Sequence, residues 1–296
     1  MSVVLGVDIG GSHITTALID LDTRTLIEGS KKRQWVDSGA DAEKICDDWC
    51  NLIAATLKEH QPAADKIGIA IPGPFDYETG ISLMQEQGKF QHLYGLNIKN
   101  ILAERLYVDA HNIRFMNDAA CFLQGEVFRG AAKDYRRVFG LTLGTGLGSA
   151  LCINGKAHDA DLWKSPFKDG IAEDYLSTRW FVKKYKALTG KTILGVKELI
   201  EDGAPAIVET IFKEFSQNMG LFLAPCIQEF QPEAIVFGGN ISNANHYFFP
   251  ALAMYLKEYQ TGVEIYQSLL NEDAALLGAA SCWKAFEARV AVTATI

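Results

Sequence analysis

The sequence lacks any run of 18 apolar residues, so no segment is expected to cross a membrane as a helix. It opens on an apolar strand pattern with no basic stretch before it, and no signal peptide is visible. Basic residues are outnumbered, because 28 Lys and Arg stand against 36 Asp and Glu and give a net charge of −8. With no basic stripe, nucleic acid and anionic membrane surfaces are poor candidates for partners.

Cysteine is also scarce, and the six cysteines form no C-x-x-C pair. They stand at positions 46, 50, 121, 152, 226 and 282. Scattered thiols of this kind are typical of the core of a reduced cytosolic protein, and they exclude a disulfide framework or a cysteine metal motif. A cytoplasmic location is therefore expected.

What is present is the composition of a globular α/β protein, with 48% hydrophobic and 22% charged residues over 296 positions. The apolar pattern begins with three strands, VVLGVDI, HITTALID and TLIEGSKK, and then alternates helices with buried strands. A similar cycle starts after residue 118 and includes a helix over about 172–188. Each cycle opens with a strand, a glycine turn and a second strand, so an internal duplication is predicted.

The two glycine turns lie in the segments DIGGSHITT and LGTGLGSAL. The second is no dinucleotide fingerprint, because its spacing is G-x-G-x-G and a strand pattern follows where that fold needs a helix. The segment YKALTGKT is no P-loop, since it lacks the first glycine. Glycine turns can leave backbone N–H groups open to an anion. Any hairpin can use glycine, but two matched turns, one with Asp8 at its mouth, favour phosphate binding.

Six segments occur together in a specific order. They are DIGGS (8–12), AIPGP (70–74), NDAA (117–120) followed by Gly125 and Glu126, LGTGLG (143–148), IVFGGN (235–240) and NEDAALLGAA (271–280). With these segments the chain resembles the ROK family of sugar kinases, within the actin-like, sugar kinase and Hsp70 superfamily. The resemblance extends from residue 4 to about 282.

The resemblance implies a two-lobed α/β fold of the actin-like ATPase (ribonuclease H-like) type, with duplicated βββαβαβα lobes around a nucleotide cleft. Residues 1–116 would form the smaller N-terminal lobe and residues 117–282 the larger C-terminal lobe. A C-terminal helix, about 283–296, is expected to pack back on the smaller lobe. A homodimer is the family-level expectation.

The resemblance also implies ATP and Mg²⁺ as ligands. Asp8 would hold Mg²⁺ through water, because Mg²⁺ keeps much of its hydration. The phosphates would meet the first turn at Gly10, Gly11 and Ser12 and the second turn at Gly144, Thr145 and Gly146. The adenosine would lie on Gly238, Gly239 and Asn240.

Asp118 is the candidate general base, which would take the proton of the acceptor hydroxyl during phosphoryl transfer. Asn117 beside it and Gly73 of the PGP loop are expected on the sugar side. A structural role is also physically sound, because an aspartate at this position could cap the helix that follows it. The sequence alone leaves both interpretations of Asp118 open.

The chain departs from the family at the sugar-facing motifs. The interval 158–173 contains no cysteine in place of the usual zinc loop, so no zinc is predicted. Asp161 and Lys164 are the best match to the E-x-G-H motif, and Glu173 matches the glutamate after the zinc loop. His92 stands where the family has an asparagine. The alternative is that 158–170 is a plain surface loop whose histidine and acids, among them Asp159, are solvated.

The leading functional hypothesis is an ATP- and Mg²⁺-dependent kinase that phosphorylates a hydroxyl of a hexose or related sugar. The second is a ROK-like sugar sensor with little or no turnover, which would be expected to lose Asp8 or Asp118. A sensor of the repressor type would also need a helix-turn-helix before the first strand, where this sequence has no room for one. The third is an actin- or Hsp70-like ATPase, against which the PGP loop and the NDA segment argue.

Overall fold

The computed structural model describes residues 2–59, 64–85, 88–258 and 262–284. The strands are β1 (Val3–Ile9), β2 (His13–Asp20), β3 (Thr25–Leu26), β4 (Lys32–Trp35), β5 (Lys66–Ile71), β6 (Phe75–Asp76), β7 (Ile81–Ser82), β8 (Ile113–Asn117), β9 (Arg137–Leu143), β10 (Leu147–Ile153), β11 (Lys156–Asp159), β12 (Pro166–Phe167), β13 (Gly170–Ile171), β14 (Ala234–Gly238) and β15 (Glu264–Gln267). The α-helices are α1 (Ala42–Glu59), α2 (Ile98–Leu106), α3 (Asp118–Phe128), α4 (Ala172–Leu176), α5 (Thr178–Thr189), α6 (Val196–Asp202), α7 (Pro205–Phe230), α8 (Asn245–Glu258) and α9 (Asp273–Ser281).

The N-terminal sheet has the strand order β3-β2-β1-β5-β8, and β4 also pairs with β2. β1 and β2 form an antiparallel hairpin, while β5 and β8 continue parallel to β1. β1 is buried on both faces, as expected for a strand covered by helices on either side. Its residues Leu5, Val7 and Ile9 pack with α1, whereas Val4 packs with α9. Asp8 follows on the α9 face, because side chains along a strand alternate.

The second sheet has the order β11-β10-β9-β14-β15. It repeats the first arrangement, with an antiparallel pair β9–β10 and parallel strands β14 and β15. The internal duplication predicted from the two glycine turns is therefore present in the strand topology. The predicted third strand, TLIEGSKK, is instead divided, because a short β3 and a separate β4 pair with successive parts of β2.

Two helices lie between the sheets and join them. α3 contacts β9 and β10 of the second sheet, and α9 contacts β1 and β5 of the first. The two helices also contact each other along their lengths. The outer faces of the sheets are covered by α1 and α2 on one side and by α4 to α8 on the other.

The α3–α9 crossing brings backbone against backbone. A Cβ atom on Gly278 of α9 would lie 1.8 Å from the carbonyl oxygen of Cys121 in α3. A Cβ atom on Gly125 of α3 would lie 2.0 Å from the carbonyl oxygen of Ala274 in α9. Neither atom can be accommodated unless the helices separate, so glycine at both positions sets the spacing.

A buried carboxylate fixes the loop that leads into α9. Glu126 is fully buried and accepts hydrogen bonds from the hydroxyl of Ser268 (2.5 Å), the N–H of Leu270 (2.9 Å) and the N–H of Ala131 (2.7 Å). A buried charge is tolerated when donors surround it in this way. Glu126 therefore ties the end of α3 to the segment just before α9.

Only the start of the predicted C-terminal helix belongs to the described residues. There, the indole N–H of Trp283 donates to the carbonyl of Ile67 in β5, and the guanidinium of Arg114 lies 3.9 Å from the Trp283 ring centre. Residues 285–296 lie outside the described residues, and the division at 116/117 stays a prediction. Within the described ranges, no helix combines the length and apolar character needed to span a bilayer.

We expect Gly278→Ala to lower the free energy of unfolding by at least about 2 kcal/mol, because the new methyl group overpacks the α3–α9 contact. Helix propensity alone predicts the opposite sign, a gain of about 1 kcal/mol. Urea unfolding of the purified variant decides between them. Gly39→Ala is the control, since a Cβ there meets only the flexible Asp37 carboxylate at 3.4 Å. A Gly278→Ala protein as stable as the parent would contradict the proposed constraint.

Candidate active site

A cavity of about 340 Å³ lies between the two sheets at the α3–α9 contact. It is lined by Asp8, Gly10, Ser12, His13, Thr15, Arg33, Asp118, Ala119, Phe122, Thr142, Asn271, Glu272 and Ala275. The first glycine turn, the start of α3, the end of β9 and the start of α9 thus meet in one place. The cavity brings together Asp8 and Asp118, which are 110 positions apart in the sequence.

The first glycine turn offers two open backbone donors. The N–H of Gly10 donates to the carbonyl of His13 at 2.8 Å and so closes the turn. The N–H groups of Gly11 and Ser12 have no acceptor in the described part of the chain. Of the three predicted phosphate donors in this turn, two are therefore free to bind an anion.

The second glycine turn is built in the same way. The N–H of Gly144 donates to the carbonyl of Gly146 at 3.0 Å. The Gly144 carbonyl accepts both the N–H and the hydroxyl of Thr178, each at 2.8 Å. Among the described residues, Thr145 and Gly146 have no acceptor for their N–H groups. Thr178, which sequence reasoning missed, holds this turn in place.

Glu173 supports the second turn from beneath. One of its carboxylate oxygens accepts the N–H of Leu147 at 3.0 Å, and the other pairs with Arg179. A Cβ atom on Gly146 would lie 2.6 Å from this carboxylate. Both carboxylate oxygens of Glu173, which was predicted to bind the sugar, are thus already hydrogen-bonded or paired within the protein.

The predicted adenosine segment lies beside the second turn. Gly239 has a φ of +80° and lies against Leu143 at the end of β9, where a Cβ atom would be 2.4 Å from the Leu143 carbonyl oxygen. Gly238 ends β14 against the ring of Phe122, and Asn240 is exposed. None of these three residues lines the cavity, although Phe122, which Gly238 lies against, does.

Asp8 has an unusual protonation equilibrium. Burial, followed by the negative charge of Asp118, raises the pKa of Asp8 from 3.8 to about 7. The charge of Glu272 acts in the same direction, and Arg33 opposes it. The site therefore holds more negative charge than the fold alone balances, which suits a bound cation.

Asp118 is the first residue of α3 and does not cap it. The side-chain oxygen of Asn117 accepts the N–H of Ala120 at 3.0 Å and is the cap. Among the described residues, the Asp118 carboxylate accepts one hydrogen bond, from the adjacent N–H of Ala119 at 2.9 Å. The capping interpretation of Asp118 is wrong, because the residue before it fills that position.

Asn117 also connects the NDA segment to the PGP loop. Its amide donates to the hydroxyl of Tyr77 at 3.2 Å, and that hydroxyl donates to the carbonyl of Ile71 at 3.4 Å. A Cβ atom on Gly73 would lie 3.0 Å from the same hydroxyl. Burial raises the pKa of Tyr77, so its hydroxyl stays protonated. No sequence motif pointed to Tyr77.

The predicted sugar-facing residues of the altered loop lie on the surface. Asp161 and Lys164 form an ion pair of 2.5 Å, with side chains 50% and 59% exposed, and the Lys164 ammonium lies 5.9 Å from the Trp163 ring centre. Burial and the charges of Asp161 and Asp118 raise the pKa of Asp159. Asp159 is therefore within electrostatic reach of Asp118. His92 lies exposed in a short 3₁₀ turn.

Within the described ranges, no three His, Cys, Asp or Glu side chains cluster as a metal-binding group. A single carboxylate such as Asp8 is nonetheless a suitable anchor for Mg²⁺, which binds proteins through one or two carboxylates plus substrate phosphates. The donor set of the cavity, carboxylates beside open N–H groups, fits a metal-bound phosphate chain.

Comparison with known proteins places this geometry in context. The ROK family model matches residues 4–160 and 168–286. N-acetyl-D-glucosamine kinase of Mannheimia succiniciproducens is 29% identical over 291 residues, covering 86% of this chain and 89% of that protein.

Two solved structures share the fold. A ROK hexokinase from Thermus thermophilus superposes with a TM-score of 0.78 at 22% identity, covering 94% of this chain and 96% of that one. A ROK glucokinase from Streptomyces griseus, in complex with glucose and AMPPNP, gives a TM-score of 0.75 at 22% identity, with 95% and 98% covered. The predicted α/β fold of the actin-like ATPase type is confirmed by these matches. The extent of the family match shows that the chain belongs to the ROK family.

Proposed function

We propose that this protein is a sugar kinase that transfers the terminal phosphoryl group of Mg-ATP to a hydroxyl of a hexose or N-acetylhexosamine. The observation that carries the proposal is the meeting of Asp8 and Asp118 in one cavity that the first glycine turn also lines. Both glycine turns have open N–H donors, and Thr142, two residues before the second turn, belongs to the same lining. The name of the Mannheimia relative supports an acetylated amino sugar as one acceptor class.

The donor side would use backbone groups for the phosphates. The open N–H groups of Gly11 and Ser12 on one side, and of Thr145 and Gly146 on the other, would bind phosphate oxygens. Gly10 and Gly144 would shape the turns, with their own N–H groups engaged inside them. Gly238, Gly239 and Asn240 would carry the adenosine. Bound Mg²⁺ neutralises phosphate charge, and Asp8 would hold it through water.

The acceptor side would use Asp118 as the general base. Its carboxylate is not consumed in capping, so it can accept the proton of an acceptor hydroxyl held in line with the phosphate. Asn117, fixed by Tyr77 and by its capping bond, would hold the start of α3 in place. Gly73, Asp161, Lys164 and Glu173 remain the proposed sugar-side residues, and Glu173 would act chiefly by supporting the second turn.

The sensor alternative requires a site that binds sugar without transferring phosphate. Both candidate acidic residues are retained in the sequence, and they converge in the cavity, which favours turnover. A cytoplasmic location, a homodimer and the absence of zinc stay predictions.

The first experiment is ADP release from Mg-ATP over a panel of acceptors: glucose, mannose, fructose, allose, glucosamine, N-acetylglucosamine and N-acetylmannosamine. Sugar-dependent ADP release supports the kinase and names its acceptor. Nucleotide binding without stimulation by any sugar would favour the sensor, and ATP hydrolysis independent of sugar would favour an ATPase.

We expect Asp118→Asn to reduce kcat at least about 100-fold, which is the lower range for loss of a positioned general base. Thermal unfolding and Mg-ATP binding by calorimetry should change little, because Asn117 rather than Asp118 caps α3. Asp134→Asn, an exposed aspartate away from the cavity, is the matched control. Retained turnover in Asp118→Asn would remove Asp118 from the role.

We expect Asp8→Asn to abolish turnover yet stabilise the metal-free protein at high pH. The folded pKa of about 7 lies above the ordinary value of 3.8, so the folded state loses stability as pH rises from about 4 through 7. The rise from 3.8 to about 7 is a roughly thousandfold change in the acid constant of Asp8. Since each tenfold change corresponds to about 1.4 kcal/mol, the gain at pH 8 should be on the order of 4 kcal/mol. At pH 4 the two proteins should differ little.

The measurement is urea unfolding in EDTA at pH 4, 6 and 8, with Asp134→Asn as a control whose stability should follow the parent at every pH. A gain that is the same at all three values would show that charge on Asp8 is not its cause.

A further inference from the structure

Arg33 lies in a row of side chains that crosses three strands. In the sheet register, Asp8 of β1 pairs with Thr15 of β2, and Thr15 pairs with Arg33 of β4. Directly paired residues in antiparallel strands present their side chains to the same face, about 5 Å apart. All three line the cavity. The guanidinium of Arg33 therefore belongs to the same wall as the carboxylate of Asp8.

Among the Asp, Glu, Lys and Arg side chains that line the cavity, all but Arg33 are acidic, and the imidazole of His13 also lies in the lining. The carboxylates are those of Asp8, Asp118 and Glu272, and Arg33 is the one Lys or Arg among the described lining residues. Bound Mg²⁺ would offset part of the charge of an anionic ligand, and a positive side chain on the wall would stabilise the phosphate oxygens that the metal does not contact. Backbone N–H groups of the first turn supply dipoles but no full charge.

The present partner of Arg33 holds it weakly. Its guanidinium lies 3.0 Å from the carboxylate of Glu272, and the two side chains are 48% and 69% exposed. Exposed ion pairs of this kind contribute about 0–1 kcal/mol. Glu272 precedes α9 at the rim of the cavity, so exchange of this partner requires a side-chain rotation and no change of fold.

We propose that Arg33 is a phosphate-binding residue of the nucleotide site, which leaves Glu272 when nucleotide enters and binds the oxygens of its outer phosphates. The inference rests on the proposed kinase function and adds a residue to it. A planar guanidinium matches two phosphate oxygens at once, in charge-assisted hydrogen bonds. Ser12 and Gly11, three and four residues before Thr15 in the turn that leads into β2, present their open N–H groups near the same wall, so one phosphate chain can reach both.

The test compares nucleotides that differ in phosphate number. Calorimetric binding of Mg-ATP, Mg-ADP and AMP is measured for the parent protein, Arg33→Gln and Arg33→Lys. We expect Arg33→Gln to weaken Mg-ATP binding by about ten- to hundredfold, with a smaller loss for Mg-ADP and less than twofold for AMP. Arg33→Lys should recover part of the loss, because it keeps the charge without the fork.

Removal of the competing partner should act in the opposite direction. Glu272→Gln frees Arg33, so Mg-ATP binding should tighten by up to about fivefold. If the Arg33–Glu272 pair only stabilised the fold, both variants would weaken binding together. Lys32→Gln is the control, since Lys32 is the strand neighbour of Arg33 and its ammonium pairs with Glu59 at 2.6 Å on α1.

The outcomes separate this inference from the kinase proposal. A parent protein that binds no Mg-ATP overturns both. A parent that binds Mg-ATP, with Arg33→Gln binding equally well or weakened equally for all three nucleotides, overturns the role of Arg33 alone. Graded loss with phosphate number, together with tighter binding in Glu272→Gln, supports it.

Discussion

The rest of the structure depends on the backbone contact between α3 and α9. Glycine at 125 and 278 lets the helices approach until each backbone touches the other. α9 rests on β1 and β5, and α3 rests on β9 and β10, so this contact sets the distance between the two sheets. Asp118 begins α3 and Asp8 lies near the end of β1. The separation of the two carboxylates is thus a consequence of helix packing and not of any direct bond between them.

The packing of these helices brings the carboxylates of Asp8 and Asp118 together in the cavity, where their negative charges repel each other. The packing of α9 between the two sheets also shields Asp8 from water, and Asp118 adds a like charge. The pKa of Asp8 therefore rises to about 7. Elsewhere the fold surrounds a buried carboxylate with hydrogen-bond donors, as it does around Glu126. The contrast indicates that the acidity of the cavity is not a general property of the core. It is confined to the wall where a cation and an anionic ligand would compensate it.

The strands and the two glycine turns could be predicted from the sequence. The hydrophobic pattern of a strand reflects the burial of that strand itself, and the glycines of a turn reflect the backbone conformation of that turn. The sequence did not predict that the helix expected over 172–188 is interrupted. The helix is divided at Ser177, where the N–H and hydroxyl of Thr178 both bond to the Gly144 carbonyl. That contact joins residues 34 positions apart, and local propensity contains no information about it.

The same limit separates the two kinds of site residue. Backbone roles follow from glycine, so the positions of both turns were predictable. The role of a side chain depends on which of its neighbours in the folded protein already occupy its hydrogen-bonding groups. Asn117 occupies the helix cap and leaves Asp118 free, although an aspartate at that position could have served as the cap. The Glu173 carboxylate is bound by the N–H of Leu147 and by Arg179. In the part of the chain that the structure describes, the one ion pair of Arg33 is with the exposed Glu272. Groups already satisfied by the fold support the site, and groups left weakly paired are those that a ligand can bind.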